Sequence, residues 1–376
     1  MSTAPIVIAG AGIGGLTAAL TLHARGFQVT VLESARELRA LGVGINLLPH
    51  AVRELTDLGL GEDLLAISAT PAAIDFYRPD GALLFREPRG LEGGYGHPQC
   101  SVHRGRLQML LLDAVRSRLG PDAVRTGAAV TDFDETDDHV RVTTHIGPFT
   151  AEVLVGADGV HSKVRRQLHP GTDPLAWSGV RMFRGASGIR PFLDGRTMAI
   201  VKGDDGVELV TYPIGGNQVN WVLQVAETTP GPLPGDANWN TRVDPAAVAA
   251  RMSGWRLDWL NPAELVARSE AVFEYPMVDR EPLSRWGTRH VTLLGDAAHP
   301  MYPVGANGGS QAILDARALA DELAAGRGIA GYEARPIPET TAVVHANRRM
   351  HAGDPQDLAR VTADYRRNTL ADRSSR

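Results

Sequence analysis

Residues 5–33, PIVIAGAGIGGLTAALTLHARGFQVTVLE, decide how the chain is read. Ile6 to Ala9 is a short apolar run of strand type, and Gly10, Gly12 and Gly15 follow it as G-x-G-x-x-G. Leu16, Ala19, Leu20 and Leu22 then recur at helical spacing, and a second apolar strand, Val29 to Leu32, ends on Glu33. Strand, glycine turn, helix, strand and acid in this order make a dinucleotide-binding unit. Gly10 permits the tight turn, Gly12 the approach of a pyrophosphate to backbone, and Gly15 close helix–strand packing. The helix start offers unpaired amides and the positive end of its dipole to phosphate. Glu33 stands where a carboxylate takes ribose hydroxyls. An ADP-containing cofactor is therefore expected.

A membrane span is the rival reading of this stretch, because residues 5–22 carry no charge. A span needs about 20 mostly apolar residues, and glycines at 10, 12, 14 and 15 with polar residues close behind do not suit one. A strand starting near residue 5 also leaves no basic leader, so no signal peptide is expected.

At 376 residues the chain can hold one large or two interleaved domains. Its 38 basic and 43 acidic residues give a net charge of -5, which supplies no basic face for nucleic acid. Cys100 is the single cysteine, so no internal disulfide can form. That suits a reducing, cytoplasmic compartment and excludes a flavin–disulfide oxidoreductase.

Further along, Leu41 to Gly44 reads as a glycine-flanked turn before a helix from Ala51 to Leu58. Residues 73–86 read as a hairpin around Pro79-Asp80-Gly81. A helix beginning near Leu107 carries Arg104 and Gln108 at its start, four apart on one face. The apolar strand Val153 to Gly156 delivers Asp158 at its carboxyl end, and Val291 to Leu294 delivers Asp296 likewise. In open α/β sheets that edge is where ligands bind. From about residue 172 the pattern turns to β, with strands in 180–186, 197–202, 207–214 and 218–226. Alternation puts Val180, Met182 and Arg184 on one face, and Val219, Trp221 and Leu223 on one face. The amides of Gly305 to Gly309, ahead of a helix starting near Ser310, form a positive cradle. Pro336 and Pro338 argue against a single clean helix in the tail, whose last ~20 residues read as a helix with a frayed end.

G-x-G-x-x-G at 10–15, G-A-D-G at 156–159, and G-D-A-A-H-P at 295–300 followed by P-V-G-A-N-G-G together resemble the class A FAD-dependent aromatic monooxygenases, of 4-hydroxybenzoate and salicylate hydroxylase type. LGVGINLLPHAV, SVHRGRLQMLLL, YPMVDREPL and HPMYPVGANGGSQAILD are similar to its phenazine monooxygenase branch. The resemblance implies an α/β fold in which a Rossmann-type FAD-binding domain (1–70, 100–171 and 271–328) interleaves with a β-sheet substrate domain (71–99 and 172–270), with a helical tail at 329–376. It implies that Gly10, Gly12, Gly14 and Gly15 hold the pyrophosphate and Glu33 the ribose. Arg104, Gln108 and the Val130 backbone would serve the adenosine side, and Asp158 would lie in a motif touching both FAD and NAD(P)H. Asp296 would take the ribityl chain. Val43, Gly44, Pro303, Gly305, Asn307 and Gly309 would lie about the ring. Arg184, Tyr212, Trp221, Met301, Tyr302 and Pro303 are the substrate-pocket candidates.

The implied activity is hydroxylation of an electron-rich aromatic (phenazine-, salicylate- or quinolone-like) with NADH or NADPH and O2. It runs through a C4a-hydroperoxyflavin in a dry pocket, with decarboxylation left open. FAD would be non-covalent, and NAD(P)H a transient co-substrate, since no second fingerprint occurs. No metal is expected, and His299 reads as a loop-setting residue. A monomer or homodimer without nucleic-acid or membrane partners completes the expectation. Two alternatives share the architecture: a flavin-dependent reductase, which needs no oxygen, and a flavin-binding protein without turnover.

Overall fold

The computed structural model describes residues 5–171, 174–233, 235 and 241–352. The expected frayed end lies outside the described residues. Five parallel strands form the first layer, ordered Val291–Leu293, Val153–Gly156, Ile6–Ala9, Val29–Leu32 and Val124–Arg125. Ala9 pairs with both Gly156 and Leu32, and Gly156 with Leu293. These strands therefore end level, and Gly10, Glu33, Asp158 and Asp296 leave the sheet along one edge.

Helix Ile13–Ala24 is buried from Ile13 to Leu22. A helix apolar all round must be enclosed, and this one is packed against the sheet and helices Arg104–Leu119 and Gly308–Ala324. Its two threonines satisfy their hydroxyls on carbonyls: Thr17 donates to Ile13 (2.7 Å) and Thr21 to Ala316 of the neighbouring helix (3.1 Å). Glycine decides how closely these parts meet. A Cβ on Gly14 would stand 2.7 Å from Leu294 Cδ2 and 3.2 Å from Ala312 Cβ.

The second layer is a nine-stranded sheet built around Ala176–Ser187, Val219–Ala226, Val207–Pro213 and Thr197–Lys202. The hairpin Ala73–Tyr77 and Leu83–Pro88 extends it, through a parallel pairing of Ala73–Tyr77 with Thr197–Lys202. Phe273–Asp279 pairs with Ala176–Ser187, so this sheet also draws on chain beyond residue 271. One face buries Phe183, Leu209, Trp221 and Leu223 against Val248, Leu265 and Val266 of helices Pro245–Ala249 and Pro262–Ala267. The other presents Met182, Val222, Tyr275 and Met277 to Tyr302 and Val304.

Three details differ from the sequence reading. Gly44–Leu47 is a strand antiparallel to Cys100–His103 rather than loop. Gly147–Ala151 adds an unanticipated strand beside Val140–Thr144. Pro336–Ala352 is one helix, because both prolines fall in its first turn, where the missing N–H has no partner to lose. Among the described residues no helix is long and apolar enough to cross a membrane.

Candidate active site

The level strand ends form the candidate cofactor groove, and the glycines would define its floor. Gly10 has φ +106°, and a Cβ there would lie 2.5 Å from the Ala157 carbonyl oxygen; on Gly15 it would lie 2.0 Å from Gly10 O. At Gly12 it would meet nothing within 4 Å. The first two glycines are thus required by the protein's own packing, whereas Gly12 faces empty space bordered by a helix N-terminus. That is the fit a pyrophosphate needs.

Glu33 lies at this turn. Its carboxylate accepts from the amides of Ala11 (2.8 Å) and Ala35 (2.7 Å) and from Ser34 Oγ (3.0 Å). Gln108 donates to Ala11 O at 2.7 Å. Arg104 is reached by solvent yet so enclosed that burial lowers its pKa, with Asp296 opposing the shift and Arg184 adding to it. Such a residue lines a groove. Val130 is buried at the start of strand Val130–Glu135, close to where Ala128 N donates to Glu33 O (2.8 Å).

Asp158 works differently. Its Oδ2 accepts from Lys163 N (2.8 Å) and Val164 N (3.4 Å), anchoring the short helix Lys163–Leu168. Burial raises its pKa against those hydrogen bonds. From that helix the buried Arg165 donates to the carbonyls of Ala297 (2.9 Å) and Ala298 (2.7 Å). Arg165 thereby ties the second glycine motif to the turn bearing Asp296, and the sequence reading missed it. Asp296 alone is exposed among residues 291–300. A single open carboxylate in a buried run is one aimed into the groove. His299 is structural: Nε2 stands 2.6 Å from Asp315 Oδ2, which also accepts Gly295 N (3.0 Å). Burial opposes its charge, but the Asp315 carboxylate prevails and raises its pKa. The described residues hold no cluster of three or more metal-ligating groups.

The far end of the groove is the loop 301–309. Gly305 (φ +78°) and Ala306 (φ +59°) are both left-handed, and helix Gly308–Ala324 starts just beyond them. A Cβ on Gly308 would come within 3.9 Å of Asp296 Oδ1, and one on Gly309 within 2.7 Å of Ile45 Cδ1. Ala312, one turn into this helix, stands 3.2 Å from where a Gly14 Cβ would be, so both ends of the candidate groove share one pair of helices. Val43 is buried and Gly44 donates its amide to Asn220 Oδ1 at 2.6 Å. That bond, also missed in the sequence, joins the sheet of the second layer to the groove. A lone asparagine inside the strand V-N-W-V was its available signal, since buried amides need partners.

On the sheet face toward the loop, the Arg184 guanidinium carbon stands 4.3 Å from the Tyr275 ring centroid, a cation–π contact. Arg184 is thus turned onto a buried ring. Tyr212 and Tyr275 are buried there, and burial raises both phenol pKa values. Tyr302 packs against this face with Met182 and Tyr275, Met301 beside it is half-buried near Gly308, and Pro303 is exposed. Trp221 does not belong to this pocket. Gly185 is its cross-strand partner, so it faces away from Arg184. It is wholly buried beneath the helices, donating to Ser187 Oγ (3.1 Å) and Ser269 Oγ (2.9 Å).

The profile of the FAD binding domain family matches residues 3–333. The chain is 45% identical to phenazine 1,6-dicarboxylic acid hydroxylase PhzS of Lysobacter antibioticus, over 98% of this chain and 97% of that one. It is 34% identical to 3-hydroxybenzoate 6-hydroxylase 1 of Aquipseudomonas alcaligenes, over 96% and 89%. A variant of Klebsiella pneumoniae HpxO solved with FAD superposes with a TM-score of 0.79 at 25% identity, covering 97% of this chain and 94% of that one.

Proposed function

The chain belongs to the FAD binding domain family, and from that premise we propose that it hydroxylates a carboxylated, electron-rich aromatic of phenazine type. It is an FAD-dependent aromatic monooxygenase. The observation that supports the reading is the placement of the open face of Gly12, the exposed Asp296 and the left-handed turn at Gly305 along one packed pair of helices, Ile13–Ala24 and Gly308–Ala324.

Bound FAD supplies electron acceptance from NAD(P)H and activation of O2. The chain supplies position and polarity. In this proposal Gly10, Gly12, Gly14 and Gly15 hold the pyrophosphate, with Glu33, Arg104, Gln108 and the Val130 backbone on the adenosine side. Asp158 orders the helix that carries Arg165, and Asp296 holds the ribityl chain. Val43, Gly44, Pro303, Gly305, Asn307 and Gly309 surround the ring, where the backbone amides stabilise negative charge on the reduced cofactor. Arg184 takes a substrate carboxylate, with Met301 nearby, between Tyr212, Tyr275 and Tyr302, whose burial keeps water from the reacting face.

NADH or NADPH binds transiently. We assign 1–70, 100–171 and 271–328 to the FAD unit, with strand Phe273–Asp279 shared with the substrate sheet. A cytoplasmic monomer or homodimer fits the single cysteine and the chain's charge. The test is NADH and NADPH oxidation by the FAD-loaded protein with phenazine-1,6-dicarboxylic acid, salicylate, 3-hydroxybenzoate and a 4-quinolone, with products identified by mass. Phenazine carboxylate should stimulate oxidation most and gain oxygen from O2. Product formed without oxygen would instead make the chain a reductase.

A further inference from the structure

We propose that Asn347, on helix Pro336–Ala352, is a positioning residue that keeps the first amides of helix Gly308–Ala324 available to the flavin ring; the proposal rests on the flavin reading above. Asn347 is fully buried. Its Nδ2 donates to Tyr302 O at 3.1 Å, and its Oδ1 accepts from Asn307 Nδ2 at 3.1 Å. One carboxamide therefore holds both ends of the turn containing the left-handed Gly305 and Ala306. A left-handed alanine persists only where its surroundings over-determine it. Met350 of the same helix closes on this turn, its Cε 2.9 Å from where a Gly305 Cβ would be.

Asn307 is the key to the consequence. It stands directly before helix Gly308–Ala324 with a helical backbone (φ -87°, ψ -33°), whereas a capping asparagine needs an extended one, and its side chain makes no capping bond. Its Nδ2 donates to Asn347. The direction of the first helical amides is therefore set by the turn that Asn347 holds, and in the flavin reading they are offered to an acceptor, as at other helix N-termini that bind anions. The same helix also fixes the substrate sheet. Arg348 donates to Asp279 at 2.6 and 3.1 Å and to Glu281 at 2.8 Å, and the His351 ring meets Tyr302 edge-on at 5.7 Å.

The experiment compares Asn347→Leu, Asn347→Ala and Thr340→Val in the full chain, reading FAD binding, the two-electron midpoint potential of bound FAD and thermal stability. Thr340 is buried on the same helix, and its hydroxyl bonds Pro336 O and Ile337 O of that helix. Asn347→Leu removes both bonds by which Asn347 holds the turn, so the first amides lose their alignment. The reduced cofactor should then bind at least tenfold less well relative to the oxidised, a downward shift of about 30 mV for a two-electron couple. Asn347→Ala removes the same two bonds without added bulk and should shift the potential likewise; it serves if Asn347→Leu does not fold. An unchanged potential in whichever Asn347 variant folds, or an equal shift in Thr340→Val, would each overturn the proposal. Wild-type protein that binds no FAD would sink the flavin reading itself.

Discussion

The two ends of the groove are built by different means. At the nucleotide end the tightest contacts are near in sequence, though Ala157 and Gln108 also reach it: Ala11 meets Glu33 across 22 residues, and Gly15 packs on Gly10. At the ring end they are not. Gly44 meets Asn220 across 176 residues, Arg165 meets Ala297 across 132, and Asn347 meets Tyr302 across 45. The first end is centred on one strand–turn–helix unit, to which Ala157 and Gln108 are added. The second exists only when both layers and the carboxyl-terminal helix have come together, so it is where local changes should alter chemistry before they alter folding.

A pair of glycine variants gives the largest expected effects. Gly15→Ala puts a Cβ 2.0 Å from a backbone oxygen that has no freedom to move. It should destabilise the protein by more than about 4 kcal/mol, measured by denaturant unfolding of the protein without cofactor. Gly12→Ala meets nothing within 4 Å. It should leave that unfolding curve within about 1 kcal/mol of wild type while FAD affinity falls at least about a hundredfold, or about 3 kcal/mol. Undiminished FAD binding by Gly12→Ala would mean that no phosphate passes over this turn. Asp296→Ala comes next. Asp296 is exposed, so stability should hold while FAD affinity falls about tenfold, or 1.4 kcal/mol. Equal retention of FAD by this variant would remove Asp296 from the ribityl role.

This contrast also explains what could be read from sequence. The glycine spacings, the strand ends and the acids at 33, 158 and 296 are local signals, and the structure brings all of them to one edge. The two faces of the β-sheet were also legible as alternation, and Val219, Trp221 and Leu223 do share a face. What alternation cannot say is which face is roofed by helices and which by the ligand loop, and Trp221 was assigned to the wrong one for that reason. Arg165, Asn220 and Asn347 left no motif because each acts through a partner on a distant element. The proline pair at 336 and 338 misled because its cost depends on position along the helix, which composition does not disclose.

The opposite faces of the sheet can be tested against each other with smaller effects. Arg184→Leu should raise KM for a carboxylated aromatic about tenfold and change stability by less than about 1 kcal/mol. Trp221→Phe removes the indole N–H from Ser187 and Ser269. It should cost about 1–2 kcal/mol of stability and leave KM within about twofold of wild type. Reversed results would place Trp221, not Arg184, against the substrate.

The smallest effect concerns Cys100, whose strand Cys100–His103 pairs with Gly44–Leu47 at the ring end. Burial pushes its thiol up to about 12 from an ordinary value of 9.0, against a hydrogen bond with Ser68. A thiol held that far up and fully buried is almost wholly protonated at pH 8, and the thiolate is the species that alkylates. Cys100→Ser should therefore change turnover by less than about twofold, since the thiol takes no part in it. In native protein at pH 8, iodoacetamide should label Cys100 at least about a thousandfold more slowly than in unfolded protein. Faster labelling would require the strand pair to open without global unfolding. If FAD then suppressed that labelling, the cofactor would be holding together an end of the groove that the chain alone holds loosely. Slow labelling with and without FAD would show the ring end as firmly assembled as the glycine turn, and the difference between the two ends would lie in how far apart their parts are in sequence, not in how tightly they are held.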